Sequence, residues 1–249
     1  MVLDFNHRPS LSERIAALVD AGMVRAHSEQ PPRDYLGASR LGANCERRLQ
    51  FEYADAPVDP GCETSAQMLR IFERGHVMEA CMAGWLRAAG FVLETEDDNG
   101  QQFGFSALAG RLQGHIDGVI VAGPDLGDGT GYPALWENKC LNAKAFRDLQ
   151  KSGLAAAKPI YAAQVALYQA YLGLHEHPAL FTAINADTME LYAELVPFDA
   201  LLAQKMSDRA VRVIEATKAG ELLPRGFAEP SHFECKLCPY SQRCWRTWL

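Results

Sequence analysis

Hydrophobic and polar positions repeat along the chain with two periods, one typical of helices and one typical of strands. Capping residues and glycines bracket the helical stretches: Ser10 and Glu13 form a capping box before the first, and Gly22, Gly90 and Gly220 follow apolar runs. This pattern predicts an α/β domain in which helices flank a central mixed β-sheet. We predict helices over residues 10–22, 39–53, 64–89, 161–173 and 198–219, and strands over 91–97, 101–109, 111–121, 134–140, 179–187 and 189–196.

Composition limits the class of protein. With 249 residues, 48% of them hydrophobic, the chain can bury a substantial core, and we expect a single domain over 1–249. It divides into an N-terminal helical part (1–60), a core (63–220) and a C-terminal tail (221–249). No apolar run approaches the ~20 residues of a membrane span, and the first residues lack the plan of a secretory signal, so a cytoplasmic protein without a membrane partner is expected.

Two predicted strands carry the candidate chemistry. Asp117 lies on the first, and Glu137 and Lys139 lie on the second, where alternation places them on one face. The connection between them is rich in Gly, Asp and Pro, as a long hairpin loop requires. Pairing of the strands would bring Asp117 beside Glu137, an arrangement that a divalent cation stabilises because adjacent carboxylates resist ionising together. Mg²⁺ favours carboxylate oxygens, so we predict a metal site suited to phosphate chemistry.

One acid interrupts the apolar stripe of the long helix predicted over 64–89. The stripe requires an apolar side chain at position 79, where the chain has Glu79. A buried carboxylate needs a cation as a partner. A metal shared with Asp117 and Glu137 would supply one; a pair with Arg74, or a position at the edge of a cleft, would also explain the residue.

The tail has a dense group of cysteines. Cys235, Cys238 and Cys244 form C-x2-C-x5-C, and the total of seven cysteines is odd, so metal ligation in a reducing compartment fits better than a disulfide framework. A tetrahedral centre needs a fourth ligand, for which the chain offers His232 nearby or Cys45 far away in the predicted second helix.

Basic and aromatic residues suggest where a nucleic acid would bind. The net charge of −7 argues against adhesion by the whole surface, but a local basic groove is compatible with it. Gln164 and Tyr168, four residues apart, share one helix face that could open on a cleft. Tyr240, Trp245 and Trp248 could stack on bases or pack around the tail cysteines. The candidate phosphate contacts are Arg47, Arg48, Lys144, Arg147, Lys151 and Lys158.

These motifs, in this order, resemble the iron–sulfur branch of the RecB-like PD-(D/E)xK nucleases. That branch includes AddB-type repair nucleases, CRISPR-associated exonucleases and small phage exonucleases. The similarity rests on Cys45 followed by two arginines, Asp117 before Glu137-x-Lys139, the Gln164-x3-Tyr168 pair, and the C-x2-C-x5-C tail, and it covers roughly residues 39–248. Two features depart from the family pattern: Glu79 stands where relatives often have His, and Ile116 replaces the Pro before the acidic residue.

The resemblance implies a restriction-endonuclease-like core with its two chain ends joined by a [4Fe-4S] cluster. The implied activity is metal-dependent exonucleolytic hydrolysis of DNA, on single strands or duplex ends, in recombination, repair, phage replication or CRISPR adaptation. Lys139, Gln164 and Tyr168 would act with the metal ligands in catalysis. The implied Mg²⁺ or Mn²⁺ ligands are Glu79, Asp117, Glu137 and the backbone carbonyl of Asn138, and the implied cluster ligands are Cys45, Cys235, Cys238 and Cys244.

Two alternatives remain open at this point. The first is a non-catalytic nucleic-acid-binding protein stabilised by Zn²⁺ at His232 and the tail cysteines, and the second is a nuclease-like fold that does not cut. The sequence contains no G-x-x-x-x-G-K-[S/T] loop and therefore supplies no helicase motor of its own. A helicase, an annealing protein or a CRISPR integrase could act as a partner in trans.

Overall fold

The computed structural model describes residues 8–127 and 129–246, which form a mixed α/β fold with helices on both sides of two sheets. Within these residues no helix is both long enough and apolar enough to cross a membrane. The helices are α1 Leu11–Ser28, α2 Glu46–Tyr53, α3 Ala66–Ala88, α4 Ala143–Ala157, α5 Pro159–Tyr171, α6 Ala200–Lys218, α7 Phe233–Lys236 and α8 Ser241–Trp245. The strands are β1 Leu36–Gly37, β2 Val92–Glu94, β3 Gly104–Ala107, β4 Leu112–His115, β5 Gly118–Ala122, β6 Ala134–Leu141, β7 Ala179–Asn185 and β8 Leu191–Val196.

The larger sheet has the strand order β2-β5-β6-β7-β8, and β6 lies at its centre. Strands β6 and β7 run parallel, because the chain returns between them through α4 and α5, whereas the other pairs are antiparallel. The predicted hairpin over 179–196 is confirmed as β7 and β8. The first five residues of β6 are all buried, which is the expected pattern for a strand covered on both faces.

The segment predicted as one strand over 111–121 is divided between two sheets. Its first half, β4, pairs with β3 and β1, and its second half, β5, pairs with β2 and β6. At the break, the Ile116 N–H donates to the Phe103 carbonyl while its carbonyl accepts from Gln102 Nε2. The single-strand prediction is therefore wrong, and Asp117 lies in the seam between the sheets.

Several helix boundaries also differ from prediction. The capping box of Ser10 and Glu13 is confirmed, but α1 continues past Gly22 to Ser28. The helix predicted over 39–53 begins only at Glu46, because a short 3-10 helix, Ala38–Arg40, and a turn precede it. Cys45 therefore lies at the N-cap of α2 and not within the helix. Helix α3 begins after the Ser65 cap, and Gly90 follows it with φ of 95°, as predicted.

The main hydrophobic core lies between the larger sheet and helices α4, α5 and α6, with Phe146, Val165, Phe181 and Val213 fully buried in it. A smaller core packs α3 against the opposite face of the sheet around Trp136. The two faces of β6 thus meet different helices, so its side chains are held from both sides.

Candidate active site

A cleft of about 1150 Å³ opens beside β6 and the seam between the sheets. One of its walls is α3, and the other is formed by the segment 33–44 with the first turns of α5. All five predicted catalytic side chains line it, as does Glu79: the full set is Glu79, Asp117, Glu137, Lys139, Gln164 and Tyr168. The structure thus brings together residues from α3, the seam, β6 and α5.

The seam holds Asp117 in a fixed orientation. Strand β5 pairs with β6 so that Gly118 lies opposite Trp136, which places Asp117 beside Glu137 as predicted. One oxygen of Asp117 accepts a 2.7 Å hydrogen bond from the Asn138 N–H. Burial raises the pKa of Asp117, and the Lys139 ammonium and this hydrogen bond offset part of the increase.

Glu137 is fully buried, and all its hydrogen bonds converge on one oxygen. Glu137 Oε1 accepts from Gln164 Nε2 at 2.5 Å and also contacts the Lys139 ammonium. The Gln164 amide donates in turn to the Tyr168 hydroxyl at 3.2 Å. Glu137 Oε2 is buried and has no partner within the described residues. One oxygen is therefore anchored, and the other has no hydrogen-bond donor among the described residues.

Glu79 lies at the edge of the cleft on α3, with 29% of its side chain exposed. Its Oε2 lies 3.9 Å from His76 Nδ1, and no ion pair joins it to Arg74 among the described residues, so the alternative pairing with Arg74 is wrong. Burial raises the pKa of Glu79 to about 7, and the negative charge of Asp117 adds to the increase. On α3 the buried residues are Ala66, Met82 and Ala83, so the turn that carries Glu79 lies outside the core and faces the cleft.

The carboxylates destabilise one another's ionised forms. Burial raises the pKa of Glu137 to about 8, with further contributions from Asp117 and Glu79. The Lys139 ammonium loses hydration on burial, but the charges of Glu137 and Asp117 outweigh that loss and raise its pKa. Lys139 is therefore a cation at neutral pH, whereas the three acids need additional positive charge to ionise together.

No three His, Cys, Asp or Glu side chains in the described part of the chain lie close enough together to enclose a metal ion. The cleft carboxylates are nevertheless the type of ligand that a hard cation prefers. Glu137 Oε2 is buried without a partner among the described residues, and Glu79 and Asp117 line the same cleft. The Asn138 N–H points toward Asp117, and the carbonyl of a strand residue lies on the same side as its N–H.

A second site lies at the junction of α2 and the tail. All four predicted cluster cysteines line one cavity of about 30 Å³, and every one is a free thiol. His232 lies outside it, where its ring stacks on Phe227 and its Nδ1 accepts from the Glu234 N–H. Cys45 thus shares the cavity with the three tail cysteines, and His232 does not. Burial raises the pKa of Cys235 and of Cys238, and nearby Cys45 and Cys244 contribute to both increases.

The predicted phosphate contacts fall into separate places. Arg47 donates to the Leu223 carbonyl and Arg48 to Glu52, so both lie against the tail and α2. Lys144, Arg147 and Lys151 are exposed on α4 and do not line the cleft. Lys158 does line it, together with Arg33, which the sequence reasoning missed although Arg33 follows the Pro31-Pro32 break beside Tyr35.

The aromatic residues of the tail pack against the protein where they are described. Tyr240 is 7% exposed and its ring lies 5.3 Å from Phe51. The Arg225 guanidinium covers the Trp245 ring at 4.4 Å. Packing, one of the two predicted uses, accounts for both, and Trp248 lies outside the described residues.

The fold is a mixed α/β architecture, and the candidate cleft lies at the seam between its two sheets. No family model and no curated protein matches the sequence significantly. Among solved structures, the alkaline exonuclease LHK-Exo from Laribacter hongkongensis superimposes with a TM-score of 0.52 at 15% identity, over 82% of this chain and 93% of that one. The structure of SSO0001 superimposes with a TM-score of 0.50 at 17% identity, over 95% of this chain and 98% of that one. At these identities the likeness establishes the fold.

Proposed function

We propose that this protein is a metal-dependent DNA exonuclease of the PD-(D/E)xK type. The observation that carries the proposal is the convergence of Asp117, Glu137 and Lys139 in one cleft, with a buried Glu137 oxygen that no described group satisfies. An unsatisfied buried carboxylate oxygen is costly unless a ligand completes it. The fold shared with a protein named as an alkaline exonuclease supports the same assignment and directs it toward strand ends.

Glu79, Asp117, Glu137 and the Asn138 carbonyl would hold Mg²⁺ or Mn²⁺. A divalent ion there supplies positive charge against the phosphate and acidifies a water molecule. Asp117 is suited to this role because one of its oxygens is already fixed by the Asn138 N–H. Glu79 is suited because burial and the negative charge of Asp117 raise its pKa, and a bound cation would offset both effects.

The remaining polar residues of the cleft would position the reacting groups and stabilise the charge that develops on the phosphoryl oxygens. The Lys139 ammonium lies in the cleft beside the carboxylates, where it can orient the attacking water and stabilise negative charge that develops on the phosphoryl oxygens. Gln164 holds Glu137 in place, and Tyr168 supports Gln164 by accepting its second hydrogen bond. A carboxylate held from behind keeps its free oxygen directed at the ligand.

We further propose that Cys45, Cys235, Cys238 and Cys244 bind a [4Fe-4S] cluster with a structural role. Four thiols that share one cavity have the donor set and number that this cluster requires. Ligation would join the N-terminal part of the chain to its tail. Four thiolates also suit zinc, so metal analysis distinguishes the two assignments.

The test of the nuclease proposal uses single-stranded DNA labelled at either the 5′ or the 3′ end. We expect stepwise shortening that requires Mn²⁺ or Mg²⁺ and that disappears in Asp117→Asn. Intact substrate after incubation with metal-loaded protein would contradict the proposal and favour a nuclease-like fold without cleavage. Cleavage of a closed circular strand would contradict the exonuclease assignment alone.

A further inference from the structure

One wall of the cleft is built by a close approach between two segments distant in sequence. A Cβ at Gly42 would lie 2.6 Å from the Ile160 Cα, a contact that no side chain could make. The segment 33–44 therefore lies directly against the first turn of α5. Both segments line the cleft, so the residues at positions 33–35 and 158–161 belong to one continuous surface.

This surface carries two neighbouring cation–aromatic combinations. The Arg33 guanidinium lies over the Tyr35 ring at 5.0 Å. Lys158, the N-cap of α5, and Tyr161 in its first turn both line the cleft, and the Tyr161 ring lies 5.4 Å from the Lys139 ammonium. Neither Arg33 nor Lys158 forms an ion pair with another described residue, whereas the nearby Arg40 is bound by Glu52.

We propose that this wall holds a single, unpaired DNA strand, with Arg33 and Lys158 on its phosphates and Tyr35 against a base. The inference deepens the proposed nuclease function and rests on it. Cations without an ion-pair partner beside half-buried rings that line a cleft are a combination that binds single strands, because cations follow the backbone and rings stack on bases. Tyr161 links the wall to the reaction centre through its contact with Lys139.

Burial of the acids explains why the strand has to be unpaired. Asp117 is 9% exposed and Glu137 is fully buried, so a phosphate must enter the cleft to reach them. Bases that are paired in a duplex present only their edges, not the faces on which Tyr35 could stack. A duplex end would therefore need to separate before its strand could lie along this wall.

The first test compares two sets of charge-removing substitutions. Binding of fluorescent twenty-nucleotide oligo(dT) is measured by anisotropy in an Asp117→Asn background, in which every protein lacks the acid of the seam. We expect Arg33→Ala with Lys158→Ala to weaken binding at least about 10-fold and to reduce the slope of log affinity against log salt by about 1.4, the value for two lost phosphate contacts. The matched control, Lys144→Ala with Arg147→Ala and Lys151→Ala, removes three exposed cations of α4 and should change affinity less than about 2-fold.

The second test isolates the ring of Tyr35. Tyr35→Leu should weaken oligo(dT) binding roughly 5- to 100-fold, whereas Tyr35→Phe should retain it, because stacking needs the ring and not the hydroxyl. A dumbbell duplex without free ends should bind far more weakly than oligo(dT).

Three outcomes would overturn the inference: equal binding by Tyr35→Leu and the parent, an α4 control as impaired as the cleft variant, or duplex binding as tight as that of oligo(dT). These binding measurements do not depend on turnover. Absence of hydrolysis in the wild-type protein would instead contradict the proposed function, so the two failures are distinguishable.

Discussion

Gln164 Nε2 lies 2.5 Å from the same Glu137 oxygen that the Lys139 ammonium contacts. The other oxygen of this carboxylate is buried without a partner among the described residues. Two donors on one oxygen fix the plane of the carboxylate. Only the second oxygen of this carboxylate then lacks a hydrogen-bond partner among the described residues. Helix α5, which carries Gln164, therefore sets the orientation of the Glu137 carboxylate toward a ligand.

Loss of the Gln164 amide should reduce metal affinity more than the chemical step. In Gln164→Ala, Glu137 keeps only Lys139 as a partner and its carboxylate can turn away from the cleft. We expect the Mn²⁺ concentration needed for half-maximal cleavage to rise roughly 10- to 100-fold, with the rate at saturating metal less affected.

Tyr168→Phe provides the graded control, because it removes one acceptor of the Gln164 amide and leaves its contact with Glu137 intact. Its metal requirement should rise less than that of Gln164→Ala. An unchanged metal requirement in Gln164→Ala would show that the amide does not position the ligand.

Removal of the ammonium at position 139 should slow turnover sharply without unfolding the protein. Among the described residues Lys139 is the only cation that contacts Glu137, and a preorganised charge of this type contributes roughly 100- to 1000-fold to the rate. Single-turnover digestion of labelled strands measures the loss, and the circular dichroism spectrum checks the fold. Digestion at the wild-type rate would exclude Lys139 from the reaction.

Stability without metal should fall as the pH rises from about 4.5 to 8. The pKa values of Glu79 (about 7) and Glu137 (about 8) exceed the ordinary value of 4.5, so the folded state binds more protons than the unfolded state in this window. The free energy of unfolding therefore decreases with pH through it. Thermal unfolding in EDTA should give a lower Tm at pH 8 than at pH 6, and Mn²⁺ should raise the Tm more at pH 8.

Glu79→Gln tests the same dependence of stability on pH, because it removes one negative charge from the cleft. Without metal, its Tm at pH 8 should exceed that of the wild type by roughly 2–4 °C. Its response to Mn²⁺ should be weaker, because one ligand oxygen is lost. If Mn²⁺ stabilised this variant and the wild type equally, Glu79 would not be a ligand.

Anaerobic purification should yield a brown protein with about four irons and four sulfides per chain. Cys45→Ser should lose the iron and the colour, because one of four ligands is removed. Cys62→Ser is the matched control, since Cys62 is exposed and does not line the cavity. A colourless protein with one zinc, indifferent to Cys45→Ser, would contradict the cluster; sensitivity of that zinc to His232→Ala would support the alternative ligand set.

Sequence reasoning predicted which side chains meet in the candidate cleft, because each has a local signature. Alternation along one strand fixes Glu137 and Lys139 on a common face, helical spacing fixes Gln164 and Tyr168, and a break in an apolar stripe exposes Glu79. These periodicities depend only on backbone geometry, so they persist in the fold. The order of the motifs then predicted the type of architecture.

Sequence reasoning did not predict how the chain is divided among sheets. Residues 111–121 have the pattern of one strand, but Ile116 bonds to segment 102–103 and not to β6. A change of the strand's pairing partner is not visible in the hydrophobic pattern of the sequence, because apolar and polar residues still alternate in each half. For a related reason, the basic residues of 144–158 do not lie together at the cleft. Helix α4 presents three of them away from the cleft, and only Lys158, at the end of α4, faces the cleft.

The four cysteines that line the second cavity come from positions near opposite ends of the sequence. Asn44, beside Cys45, bonds to Glu234, beside Cys235, across a separation of 190 residues. A ribosome adding about 5–20 residues per second completes that distance in roughly 10–40 s. Throughout this interval Cys45 lacks the three tail cysteines with which it shares the cavity, so any prosthetic group that needs all four sulfurs is inserted only after synthesis of the tail.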